Sequence, residues 1–166
     1  MNKKRKTRVD IDLLSDIFSQ LCKKTRILQT RAYTHHFGTS LLRHSVNVAY
    51  VSMFISKFFR LNVDYFQMVR GALLHDYYLY DCHDKEDLNK KHHLRRHPAK
   101  AVLAAQEDLL LTKKEIDIIL KHMFPITFSI PKSKESFVVC FSDKICSTYE
   151  LFTNLGKKLL LRPMFA

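Results

Sequence analysis

Apolar residues recur along this chain at three- and four-residue steps, the signature of helices that bury one face. Residues 10–23 place Leu13, Leu14, Ile17, Phe18 and Leu21 on one side and predict a first helix. Residues 25–38 show no clear period. Gly38-Thr39-Ser40 then reads as a helix start, with a hydroxyl able to cap the amides of Leu41 and Leu42. Over 41–59 a second helix aligns Leu41, Val48, Val51, Ile55 and Phe58, and His44 shares that stripe. A third, over 64–77, turns Tyr65, Met68, Val69, Ala72 and Leu73 inward, and Asp76 continues the face four residues after Ala72. The polar stretch 79–96 reads as a loop. Pro98 suits the first turn of a fourth helix through Ala101, Val102 and Ala105 to Leu109. Thr112-Lys113-Lys114-Glu115 matches a capping box opening a fifth helix with Ile116, Ile119 and His122. Pro125 and Pro131 bracket an extended connection, and a last helix over 134–155 carries Val139, Asp143 and Tyr149. No internal repeat is visible. The pattern predicts an all-α fold, a bundle of about six helices forming one domain over 10–166 behind a flexible basic arm at 1–9.

Composition narrows the classes. The chain has 166 residues, 46% of them hydrophobic and 27% charged, which suits one soluble domain with a real core. Three glycines, none close to another, exclude a glycine-rich phosphate loop and a dinucleotide fingerprint. The most apolar stretch, 46–59, is interrupted by Asn47, Ser52, Ser56 and Lys57 and is too short to span a bilayer. No apolar signal core follows the basic N-terminus, so neither export nor membrane insertion is expected. Four cysteines without C-x-x-C spacing read as reduced thiols, which points to the cytoplasm. The formal charge of +12 suits anionic partners without choosing among nucleotide, nucleic acid and membrane surface.

Nine histidines are many for this length, and their placement matters more than their number. His44, Asp76, His122 and Asp143 fall on or beside apolar helix faces, His75 adjoins Asp76, and His97 is placed at the start of the fourth helix. One buried histidine is ordinarily a satisfied core residue. Buried aspartates are expensive unless paired or bound to a cation. A shared metal ion relieves two aspartates and several histidines together, and mixed imidazole and carboxylate ligands suit iron, manganese, zinc or magnesium. The remaining histidines (His35, His36, His83, His92 and His93) lie in predicted loops and read as solvated.

The ordered strings Arg43-His44-Ser45, Leu73-Leu74-His75-Asp76-Tyr77, Arg96-His97-Pro98, Lys121-His122-Met123 and Ser142-Asp143-Lys144 resemble the HD-domain superfamily of metal-dependent phosphohydrolases. The resemblance covers about residues 37–155 and is nearest to small stand-alone bacterial members. It implies a compact helical bundle with a metal site between the helices. His44, His75, Asp76 and Asp143 match the set that holds one metal. His97 and His122 match the two extra histidines of binuclear members. Two divalent ions are therefore implied, iron or manganese foremost, with zinc, magnesium or nickel also compatible. The doublet is followed by Tyr77-Tyr78-Leu79-Tyr80-Asp81, without the Glu-Asp pair of guanosine tetraphosphate hydrolases, and no Gly-Tyr-Pro signature is present. The substrate subfamily stays open.

The expected activity is metal-dependent hydrolysis of a phosphoester or phosphoanhydride, with a small phosphorylated substrate, a nucleotide foremost. Metal-activated water would attack the phosphoryl group. Asp76 is the shared catalytic carboxylate, and Asp81, five residues on, is a candidate general acid. Arg43, Arg96, Lys100 and Lys144 flank ligand positions and are candidates for binding phosphate oxygens. Two alternatives stand beside this reading. One is a di-iron oxygenase on the same ligand set. The other is a basic nucleic-acid-binding module, a secondary reading because the chain carries no recognisable nucleic-acid motif.

Overall fold

The computed structural model describes residues 8–34, 39–78 and 90–161, with side chains described outside 90–95 and 154–161. Most of the basic arm, Asp81, His35, His36, His83 and the side chains of His92 and His93 lie outside the described residues. The elements run in the order α1 (Ile11–Lys24), a 3₁₀ segment (Ile27–Ala32), α2 (Leu41–Phe58), α3 (Tyr65–Leu74), α4 (Lys90–Asp108), α5 (Lys113–Lys121) and α6 (Lys134–Leu161). Among the described residues there is no strand, and the all-α expectation stands. Among the described residues no helix is long and apolar enough to cross a membrane.

Local chemistry sets the helix starts. The Asp10 carboxylate accepts from the Leu13 amide and that of Asp64 from the Gln67 amide, satisfying donors that a helix leaves unpaired. Thr112 and Glu115 form the reciprocal capping box expected of them. Ser40 caps α2, but through the Arg43 amide, one turn in, rather than those of Leu41 or Leu42. Residues 27–32, without a helical period, form the short 3₁₀ segment.

Three expectations need correction. The inward face of α2 is Leu41, His44, Ser45, Val48, Ala49, Ser52, Met53 and Ser56, whereas Val51 and Ile55 are half-buried and Phe58 is exposed. The face is rotated because two serines can be buried at small expense. The Ser52 hydroxyl donates to the Val48 carbonyl at 2.7 Å, and Ser56 Oγ lies 3.4 Å from the Met68 sulfur. Second, α4 begins at Lys90, within the stretch read as a loop, and Pro98 lies inside it rather than in its first turn. An interior proline forfeits one helical hydrogen bond. Here Pro98 is buried, and Ala101 and Ala105, three and seven residues on, continue the same buried face of the helix. Third, α3 stops at Leu74 and α5 at Lys121, which leaves His75 and His122 as C-cap residues with helical backbone angles.

One continuous apolar cluster draws on all the helices, from Leu14 and Ile17 of α1 through Val48, Val69, Ala101 and Ile118 to Val139 of α6. Helices α2, α3, α5 and α6 surround its centre. The glycine in α3, Gly71, lies against Ile118 of α5; a Cβ there would sit 2.7 Å from Ile118 Cδ1. That close approach brings the C-terminal ends of α3 and α5 side by side.

Candidate metal centre

Two helices end at the site with the same device. His75 Nδ1 lies 2.7 Å from the Ala72 carbonyl oxygen, and His122 Nδ1 lies 2.7 Å from that of Ile119. A carbonyl only accepts, so each Nδ1 carries the proton and each Nε2 presents a lone pair. The two rings meet edge to face with centroids 4.9 Å apart. Asp76 follows directly on His75, and α2 supplies His44, α4 His97 and α6 Asp143. All six are buried.

The donor atoms converge. His75 Nε2 is 3.5 Å from Asp76 Oδ2 and 3.8 Å from Asp143 Oδ1. Asp76 Oδ1 is 3.4 Å from His97 Nε2 and 3.5 Å from His122 Nε2, and those two nitrogens lie 2.9 Å from each other. His44 Nε2 reaches Asp143 Oδ1 at 3.1 Å. Two triads have donor atoms within 4.8 Å of one another and could each hold a metal ion: His44, His75 and Asp143, and His75, Asp76 and His122. His75 Nε2 itself has no hydrogen-bond donor facing it. A buried lone pair aimed at two carboxylates is repelled by both, and a cation among them turns every one of these contacts favourable. The residues present therefore fit a metal.

Glu150, absent from the sequence-based site, completes the arrangement. It lies seven residues after Asp143 on the same face of α6, is buried, and places both carboxylate oxygens 3.2 Å from His44 Nδ1. A lone glutamate in step with Val139, Asp143 and Cys146 was the available signal, the same logic that singled out the aspartates. His44 thus has a carboxylate on each ring nitrogen. Burial opposes its charge, but Asp143 and Glu150 outweigh that and push its pKa up to about 10. Burial drives His122 down to about 3 and lowers His75 as well. Asp143, although buried, is held well below the usual carboxylate range by His44 and the neighbouring imidazoles and Lys144.

Positioning contacts extend outward. The residue after the His-Asp doublet, Tyr77, is buried, donates its hydroxyl to Asp108 at the end of α4, and accepts from the Arg26 amide at 2.8 Å. Ser147 Oγ lies 3.3 Å from Asp143 Oδ1.

The expected phosphate-binding cations divide. Lys144 is at the site, but its ammonium is 3.2 Å from Asp143 Oδ2 and also bonded to the His122 carbonyl. Arg43 and Arg96 precede His44 and His97 by one residue, about 100° around their helices, and are exposed, as is Lys100. His97 sits two turns into α4 rather than at its start, because the helix begins earlier. Comparison of the chain with protein-family models, with curated proteins and with solved structures finds no match.

Proposed function

We propose that the chain is a hydrolase that binds two divalent metal ions and cleaves a phosphoester or phosphoanhydride, with a nucleotide as the leading substrate class. The observation that carries this reading is the convergence of four imidazoles and two carboxylates, all buried, on one small volume. His44, His75 and Asp143 would hold one ion. Asp76, His97 and His122 would hold the other, with Asp76 close enough to His75 to be shared. Bound metals supply electrophilic polarisation of a phosphoryl oxygen and a water acidic enough to be hydroxide near neutral pH. The chain's own residues orient the donors: the Ala72 and Ile119 carbonyls fix the His75 and His122 tautomers, and Glu150 holds the His44 ring at Nδ1. Arg43, Arg96 and Lys100 would attract the anionic remainder of a substrate, in keeping with the charge of +12.

The test is elemental analysis of freshly purified protein, then a phosphate-release screen over nucleotides and dinucleoside polyphosphates. Two metals per chain and metal-dependent release are expected. Asp76→Ala should keep helical circular dichroism while turnover falls by two or more orders of magnitude, the loss of about 3 kcal/mol or more of transition-state stabilisation. Retained turnover in that variant with metal in excess would refute the mechanism. Oxygen consumption by the iron-loaded protein, without phosphate release, would favour the oxygenase reading.

A further inference from the structure

Helix α6 has two working faces. One carries Asp143 and Glu150 to the metal centre. The other is exposed and apolar along four turns: Phe137 is 50% accessible, Phe141 60%, Ile145 40%, Tyr149 70% and Phe152 67%. Steps of four, four, four and three residues keep these side chains within about 120° of helix surface. No charged residue interrupts the row, and the other exposed residue between Phe141 and Phe152 is Thr148.

Two properties of the row identify its occupant. The first is area. With about 200 Å² for a fully exposed aromatic side chain, the five residues present roughly 600 Å² of apolar surface, at the top of what a lone monomer carries. Two such rows face to face bury about 1,200 Å², the lower bound of specific stable interfaces. The second is symmetry. Ile145 is central, with two aromatic residues on each side at eight and four positions before it and four and seven after it. An antiparallel second copy therefore sets Ile145 against Ile145, Phe141 against Tyr149, and Phe137 against Phe152. Such self-complementarity about a two-fold axis defines an isologous contact.

We propose that the chain forms a two-fold symmetric homodimer through antiparallel packing of α6, with the axis at Ile145. The contact leaves the metal-centre face of α6 untouched and is independent of the metal reading. Two chains of charge +12 repel, so added salt strengthens the dimer by screening.

Sedimentation of the full chain at tens of micromolar should give a dimer. Ile145→Glu and Phe141→Glu should each give a monomer with unchanged circular dichroism. Phe58→Glu, on the exposed aromatic patch of α2, should stay dimeric. Register is tested by oxidative cross-linking against the unsubstituted chain. Ile145→Cys should form an inter-chain disulfide, whereas two copies of Phe137→Cys lie about 24 Å apart along antiparallel helices and should not. A wild-type monomer, a dimer that survives Ile145→Glu, or equal cross-linking of both cysteine variants would each overturn the proposal.

Discussion

At the scale of single residues, the chemistry of the centre turns on His44. Both of its ring nitrogens face carboxylates, Asp143 at 3.1 Å and Glu150 at 3.2 Å, and carboxylates only accept. The metal-free ring is therefore an imidazolium with a pKa near 10. Binding a metal through Nε2 requires that proton to leave, whereas His75 and His122, whose pKa values burial lowers, are already neutral. Metal binding at pH 7.5 should thus release about one proton per chain from these three rings. Titration calorimetry in buffers of different ionisation enthalpy measures this directly; a buffer-independent enthalpy would contradict it. Once Nε2 is on a metal, the Nδ1 proton stays with Glu150, which orients the ring and raises its basicity. Glu150→Gln keeps an acceptor but removes the charge, and should weaken metal binding by about 10- to 100-fold without unfolding the chain. Unchanged affinity in a competition titration would reduce Glu150 to a charge partner of the metal-free state. The glutamate illustrates what a sequence hides: Asp143 stood out by its place beside an apolar face and then by the resemblance, while Glu150 differs from an ordinary helix carboxylate only by its phase with Val139 and Asp143.

At the scale of elements, the site depends on how closely α3 and α5 approach, because each delivers a histidine at its C-cap. Gly71 permits that approach by leaving room for Ile118, and this is the physical content of its position four residues before His75. Gly71→Ala would put a Cβ 2.7 Å from Ile118 Cδ1 and should destabilise the chain by about 1–3 kcal/mol in urea unfolding. Ile118→Val removes that δ-carbon but keeps Cγ2, 2.9 Å from the added Cβ, so the double variant should recover part of the loss relative to the sum of the two single effects. Strict additivity would show that the contact relaxes freely. The helices that were legible in the sequence are those with strong caps and a clean apolar period, such as α1 from Asp10 and α5 from Thr112. The start of α4 was not, because Lys90 to Arg96 offers charge and imidazole without a stripe, and proline ordinarily marks a first turn. The phase of α2 was misread for a related reason: serine counts as polar until its hydroxyl finds the Val48 carbonyl one turn back.

At the scale of the whole molecule, buried titratable groups at one point in the core tie stability to pH in both directions. His122 is moved down to about 3 and His75 in the same direction, so the fold favours their neutral forms. Their contribution is complete above the ordinary histidine pKa of about 6.5 and is lost as pH falls toward 3. His44 moves the other way. Its charged form is favoured, so its contribution is complete below about 6.5 and is lost as pH rises through about 10. The acidic and alkaline losses meet near pH 6.5, where the metal-free chain should be most stable. Each group limits the slope on its side to about 1.4 kcal/mol per pH unit. On the alkaline side below pH 9 that loss rests on His44 alone among these rings. Saturating metal, which requires His44 neutral, should therefore remove the His44 share of the alkaline decline, leaving the loss toward pH 9 from the Cys22, Cys140 and Cys146 thiols that burial raises, and add stability that grows with metal concentration. Urea unfolding of chelator-treated and metal-saturated protein at half-unit steps from pH 5 to 9 separates the two profiles. A metal-free chain whose stability is flat from pH 6.5 to 9 would mean that His44 is not held charged between Asp143 and Glu150. The same decline persisting at full strength with metal bound would place the cation elsewhere than on His44 Nε2.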